Sequence, residues 1–129
     1  MRKLVLLAVG FALIASSSPP PVRTPEAQAK LDTLLAGRVA GERKTCLEVR
    51  RTNSPVGIDD YTLLFRDGPR VWRNDIQAGF QCGKLDRQSE VVTESVANRL
   101  CNGDKLVILN NGTAIGACEL GDFVPYTKP

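Results

Sequence analysis

This chain of 129 residues contains no histidine, and that gap removes more chemistry than any motif adds. Without an imidazole, neither a Ser-His-Asp triad nor a Cys-His pair can be assembled. No Gly-x-Ser-x-Gly elbow and no phosphate-cradling glycine loop occurs either. Carboxylate chemistry remains, and it needs two acids at a suitable separation. Asp59-Asp60 is the obvious pair, but neighbours in an extended chain point to opposite faces. The pair therefore reads as a solvated turn leading into a strand at Tyr61. Asp104 and Asp122 each follow a glycine, a setting in which an aspartate caps a turn. Neither has the repeated oxygen ligands of a calcium loop. The expectation is no catalytic residue, no metal and no cofactor.

Candidate binding residues cluster in one stretch. Tyr61, Phe65 and Trp72 would make a ligand platform if exposed, although aromatics in a small strand-rich domain more often fill the core. Arg66, Arg70 and Arg73 flank the same stretch and suit an anionic glycan or lipid headgroup. Their competing role is to solubilise and blunt a sheet edge. Tyr61, Arg70, Trp72 and Arg73 form the candidate binding set. Asn111-Gly112-Thr113 fits a glycosylation sequon, but a hairpin turn accounts for it.

The four cysteines, Cys46, Cys82, Cys101 and Cys118, have no Cys-x-x-Cys spacing and no histidine partner, which argues against zinc. An even number in an oxidising compartment implies two disulfides. The N-terminus points to that compartment. Met1-Arg2-Lys3 precedes an apolar run from Leu4 to Ala15, too short for a membrane core of about 30 Å, which takes roughly 20 helical residues. A small-residue exit through Ser16-Ser17-Ser18 completes the pattern of a cleaved signal peptide over 1–17. No cysteine follows the run to accept a lipid. The expected location is periplasmic or secreted, with no membrane span after cleavage. Arg2 and Lys3 leave with the leader, so the precursor's net charge of +3 falls. Opposite charges alternate along the rest, and no clustered basic face marks a nucleic-acid binder.

The elements that must position these residues are short. Residues 18–24 form a proline-rich extended leader, and 25–129 form one domain of ordinary size. Thr24, Pro25 and Glu26 read as N-cap, first helical position and first-turn acid. Ala27, Leu31, Leu34 and Leu35 make one apolar face, so a helix is expected over 25–36, stopped near Gly37 and covering a sheet. Beyond Gly41 the pattern becomes extended: 45–50, then a break at 53–57, then 61–66. Asp67-Gly68 suggests a hairpin into 70–73, although Pro69 cannot donate to a ladder. Residues 75–89 read mostly as loop. Residues 90–94 read as a strand, with a short helix through Ala97 as the alternative. Lys105–Leu109 is the strongest strand, turning at Asn110-Asn111-Gly112 into 113–119, and 121–126 closes the domain. Five to six short antiparallel strands with one N-terminal helix argue for a mainly β fold, a small barrel or sandwich.

Four cysteines permit three pairings. A hairpin turning near Asn111 places Cys118 opposite a position near 104, offset from Cys101. Cys46–Cys101 with Cys82–Cys118 is therefore preferred, and the alternatives stay open at this level.

Four segments carry a family likeness: Leu35–Gly41, Cys46, Leu100–Asp104 and the closing Leu120-Gly121-Asp122-Phe123-Val124-Pro125-Tyr126. Through them the chain resembles short signal-peptide-bearing bacterial proteins of unknown function, mainly from alphaproteobacteria. The likeness covers roughly residues 34–126. It implies residence outside the cytoplasm, and it brings no activity or ligand. Some relatives carry counterparts of Cys46 and Cys101 only, a second pointer to the preferred pairing. The expected role is a non-catalytic envelope or secreted binding module for a protein, glycan or small ligand. An inhibitor of a wall-degrading enzyme is its specific version, since rigid stapled domains lose little entropy on binding. The alternative is a small carboxylate-dependent hydrolase acting on glycan.

Overall fold

The computed structural model describes residues 22–48, 55–77, 82, 89–93 and 98–129. The expected signal peptide over 1–17, the triple proline, residues 49–54, most of the 75–89 segment and residues 94–97 lie outside the described residues. Helix α1 spans Pro25–Leu35, one residue shorter than expected. Thr24 caps it in extended geometry, its Oγ1 accepting from the Ala27 amide at 3.2 Å. Ala27 and Leu31 are buried, whereas Leu34 and Leu35 are only half-buried.

Among the described residues ten strands follow: β1 (Val39–Ala40), β2 (Cys46–Glu48), β3 (Val56–Gly57), β4 (Thr62–Asp67), β5 (Arg70–Asp75), β6 (Ser89–Thr93), β7 (Arg99–Cys101), β8 (Lys105–Asn110), β9 (Thr113–Glu119) and β10 (Phe123–Thr127). Six have five residues or more, and these carry the mainly β, antiparallel character expected from the sequence. The sheets run β1-β10-β5-β4-β3, β2-β7 and β6-β8-β9. They stack in a sandwich-like way without closing into a barrel.

Several boundaries shift for local reasons. β4 begins at Thr62 because the Tyr61 amide donates to Asp59 Oδ1 (2.9 Å), which holds Tyr61 in the preceding turn. The break expected over 53–57 ends early, since Val56 pairs with Leu64 at the sheet edge. Pro69 sits in the two-residue loop between the paired Asp67 and Arg70, where its missing amide costs nothing. Asn111 and Gly112 take φ of 51° and 78°, the left-handed pair that a tight hairpin requires. β9 carries a bulge: Gly116 faces Ile108 and Ala114 faces Leu109, leaving Ile115 without a partner. Cys118 consequently faces Leu106 rather than a residue near 104.

Both disulfides of the preferred pairing are present. Cys46 lies directly opposite Cys101 in the β2–β7 ladder, and Cys82 joins Cys118.

The five-stranded sheet is covered on both faces, which explains why Leu63 and Leu64 are both buried instead of alternating. One face presents Leu63, Phe65, Trp72 and Phe123 to Leu47, Leu100, Leu106, Ile108 and Leu120 of the smaller sheets and their connections. Phe65 and Phe123 meet edge-on at 5.8 Å. The other face presents Leu64 and Val71 to Ala27 and Leu31 of α1, with Ile58 alongside.

A buried asparagine holds the corner at which the chain passes from β9 to β10. Asn74 Nδ2 donates to the Gly121 carbonyl and its Oδ1 accepts the Gly121 amide, both at 2.9 Å. A Cβ at Gly121 would lie 2.1 Å from the Asp75 carbonyl oxygen, so only glycine fits.

Candidate functional site

The carboxylates resolve first. Asp59 is fully committed: Oδ1 caps the Tyr61 amide, and Oδ2 accepts Arg23 Nε at 2.8 Å. Arg23 Nη2 donates to Thr62 Oγ1 at 2.5 Å, and that hydroxyl donates on to Asp75 Oδ1 at 2.8 Å. Arg73 Nε closes the chain on the same Asp75 oxygen at 3.1 Å. Each of these acids is thus neutralised by an arginine rather than facing a second acid across an open space. Asp60 contributes its carbonyl to the Cys82 amide, not a second carboxylate to a site. Asp104 caps a turn through the Cys101 amide (2.7 Å), and Asp122 accepts from Asn102 Nδ2 (2.8 Å). No group of three metal-ligating side chains forms among the described residues.

The four candidate binding residues do not converge. Trp72 is 4% exposed and belongs to the core, as does Phe65 at 2%, so the aromatic platform is not presented to solvent. Arg70 stacks over the Trp72 ring at 5.8 Å, with Lys44 over it at 6.0 Å, on the face towards the smaller sheets. Arg73 points to the opposite face. Burial opposes its charge, but the hydrogen bond and charge of Asp75, together with Tyr126, outweigh it and raise the guanidinium pKa further. Tyr61 stays in its turn, half-buried, its carbonyl accepting the Ile76 amide.

Arg66, from the wider set, occupies a more informative position. It lies on the helix-covered face of the five-stranded sheet, in a cleft of about 260 Å³ between the last turns of α1 and the strands. Val56, Leu64 and Val71 line the sheet side, and Thr33 and Leu34 the helix side. Arg38 and Arg66 line it too, together with Gly68. The cleft lies where α1 packs less completely: Ala27 and Leu31 are buried on the sheet, whereas Leu34 and Leu35 touch the same cluster but stay half-buried. Lys30 Nζ ties that part to the Gly57 carbonyl at 2.7 Å, and Arg23 fixes the preceding segment. Arg38 Nη1 bonds the Pro69 carbonyl, strapping the chain beyond α1 to the β4–β5 turn. That occupies one of the five donors of its guanidinium. Arg66 has no acidic partner within ion-pair distance among the described residues. Sequence reasoning missed the cleft because its lining comes from α1, β3, β4, β5 and two turns. Arg66 at the end of an apolar strand was the one visible signal.

Among the described residues, fold and site define a mainly β fold with one helix, two disulfides and a cationic cleft. No helix among the described residues is long and apolar enough to cross a membrane. The chain matches no known family model, no characterised protein and no solved structure.

Proposed function

We propose that this protein is an exported, non-catalytic binding module whose ligand occupies the cleft between α1 and the five-stranded sheet. The observation that carries this reading is the contrast between committed and uncommitted charge. The Asp59 and Asp75 carboxylates are bound by Arg23 and Arg73, while Arg66 lines an open cleft of mixed polar and apolar walls without an acidic partner among the described residues. Apolar walls with a few convergent polar groups are the usual form of a small-ligand site. A volume near 260 Å³ favours a small ligand over a protein or a glycan chain. The disulfides fit an oxidising compartment.

Methyl-labelled protein titrated with small molecules extracted from the extracytoplasmic fraction tests the site. Shift changes at Leu34, Val56, Leu64 and Val71 are expected. Changes confined to other methyls, or none, overturn it. The hydrolase reading predicts that the protein releases sugar from wall glycan and that Asp59→Asn or Asp75→Asn abolishes the release. The committed carboxylates predict no turnover.

A further inference from the structure

The lining of the cleft specifies more than its presence, and the inference drawn from it rests on the binding reading above. We infer that the ligand is a small amphipathic anion, with a carboxylate or phosphate head on Arg66 and Arg38 and a short alkyl tail over Leu34, Val56, Leu64 and Val71. Size sets the first limit. At roughly 30 Å³ per water, the space holds about nine waters, and so a molecule of about ten heavy atoms. Charge sets the second. Two guanidinium groups line one cleft, and no aspartate or glutamate lines it with them. An arginine fork matches a planar carboxylate or a phosphate with two parallel hydrogen bonds.

Arg66 is solvent-exposed and sits on the same sheet face as Leu64, beside the cluster that α1 covers, so its charge is free to meet a ligand at the mouth of the cleft. The Arg38 strap to Pro69 holds that guanidinium beside the turn, so one of the two cations is placed before binding and loses little side-chain freedom. A purely structural role is the competing explanation, with both arginines answering the negative end of the α1 dipole. That role predicts a stability effect without a ligand.

Calorimetric titration with four probes separates these readings: octanoate, octyl phosphate, octanol and inorganic phosphate. Saturable one-site binding of octanoate or octyl phosphate is expected, and the preferred one identifies the head group. Octanol and inorganic phosphate should each bind at least about tenfold more weakly, the scale of a charge-assisted bond. Arg66→Gln should cost the amphipathic anion about tenfold. Leu34→Phe, which fills tail space on a half-buried position, should weaken octanoate. Equal binding of octanol shows a merely apolar cleft, and equal binding of inorganic phosphate a merely cationic one; either overturns the inference. A lowered melting temperature in Arg66→Gln with no saturable probe also overturns it, in favour of the dipole role. If no probe binds while the natural extract still shifts the cleft methyls, the ligand class fails and the cleft reading stands. If octanoate binds but shifts only methyls elsewhere, the cleft itself is refuted.

Discussion

At the scale of single residues, the least replaceable positions lie where polar groups are buried with every bond made. Asn74 is fully buried and answers both backbone groups of Gly121. Asn74→Ala orphans both, at about 1–3 kcal/mol for each unsatisfied group. Gly121→Ala drives a methyl into the Asp75 carbonyl oxygen and should prevent the corner from forming. Gly112→Ala makes a useful contrast, because nothing lies within 4 Å of its added Cβ and only its positive φ is strained. It should cost about 1–2 kcal/mol. Denaturant unfolding of the three variants should rank Gly112→Ala as mildest; a Gly121→Ala protein of near-native stability would refute the close approach at the corner. Arg23 offers a second test on the opposite face. Its side chain, 18% exposed, bridges Asp59 to the buried Thr62 through the guanidinium. Arg23→Ala leaves a part-buried carboxylate without its partner and should lower stability by about 1–3 kcal/mol, the worth of hydrogen bonds to a charged group. No change on mutation would mean that the residues before α1 do not hold the sheet.

At the scale of elements, the two disulfides differ in what covers them. Cys82 and Cys118 are 0% and 1% exposed within the main core, whereas Cys46 and Cys101 are only half-buried in a two-stranded ladder of three residues each. Thiol–disulfide exchange needs access for the attacking thiolate. Graded reduction followed by alkylation and mapping should therefore label Cys46 and Cys101 first, with Cys82 and Cys118 following only as the core opens. The reverse order would contradict the burial seen here. The same contrast explains which elements could be read from the sequence. Helix α1, the β8–β9 hairpin and β4–β5 were legible because their signals are local: a Thr-Pro-Glu start, an Asn-Gly turn, runs of branched and aromatic residues. β1 and β7 were not, since strands of two or three residues carry no period of their own. Val39–Ala40 is a strand because β10 lies beside it, and Arg99–Cys101 because β2 does. The bulge at Ile115 was equally hidden, for nothing in Thr113–Glu119 marks an extra residue, and so the partner of Cys118 was displaced. The preferred cysteine pairing is nevertheless the one present, because the Asn111-Gly112 turn placed Cys118 away from Cys101 and the family likeness pointed to Cys46 with Cys101. The cleft lay beyond sequence reasoning, as Arg66 and its apolar neighbours meet only after four elements and two turns have assembled.

At the scale of the whole molecule, crosslinking is unevenly distributed over the sandwich. The disulfides join residues 55 and 36 positions apart, and closing loops of that length removes about 4 kcal/mol of unfolded-state freedom each in the chain-entropy model. Typical domains are stable by only about 5–15 kcal/mol in total. Three of the four cysteines lie in the smaller sheets, in β2, β7 and β9, and none lies in the five-stranded sheet. That sheet relies on Leu63, Phe65, Trp72 and Phe123 on one face, the α1 contacts on the other, and the Asn74 clamp at its corner. Its ladders also involve the longest central strands, β4 and β5, paired over six residues. Reduction should therefore act first on the smaller sheets. In fully reduced and alkylated protein, hydrogen exchange is expected to be fast in β2, β7 and β9, with residual protection in β4, β5 and β10. The melting transition should fall by tens of degrees, given that each kcal/mol shifts a domain of this size by about 4–8 °C. Uniform loss of protection would show that the five-stranded sheet cannot stand without its stapled partner layer. Full protection at an unchanged melting temperature would show that the core suffices alone and that the two crosslinks add nothing to its stability.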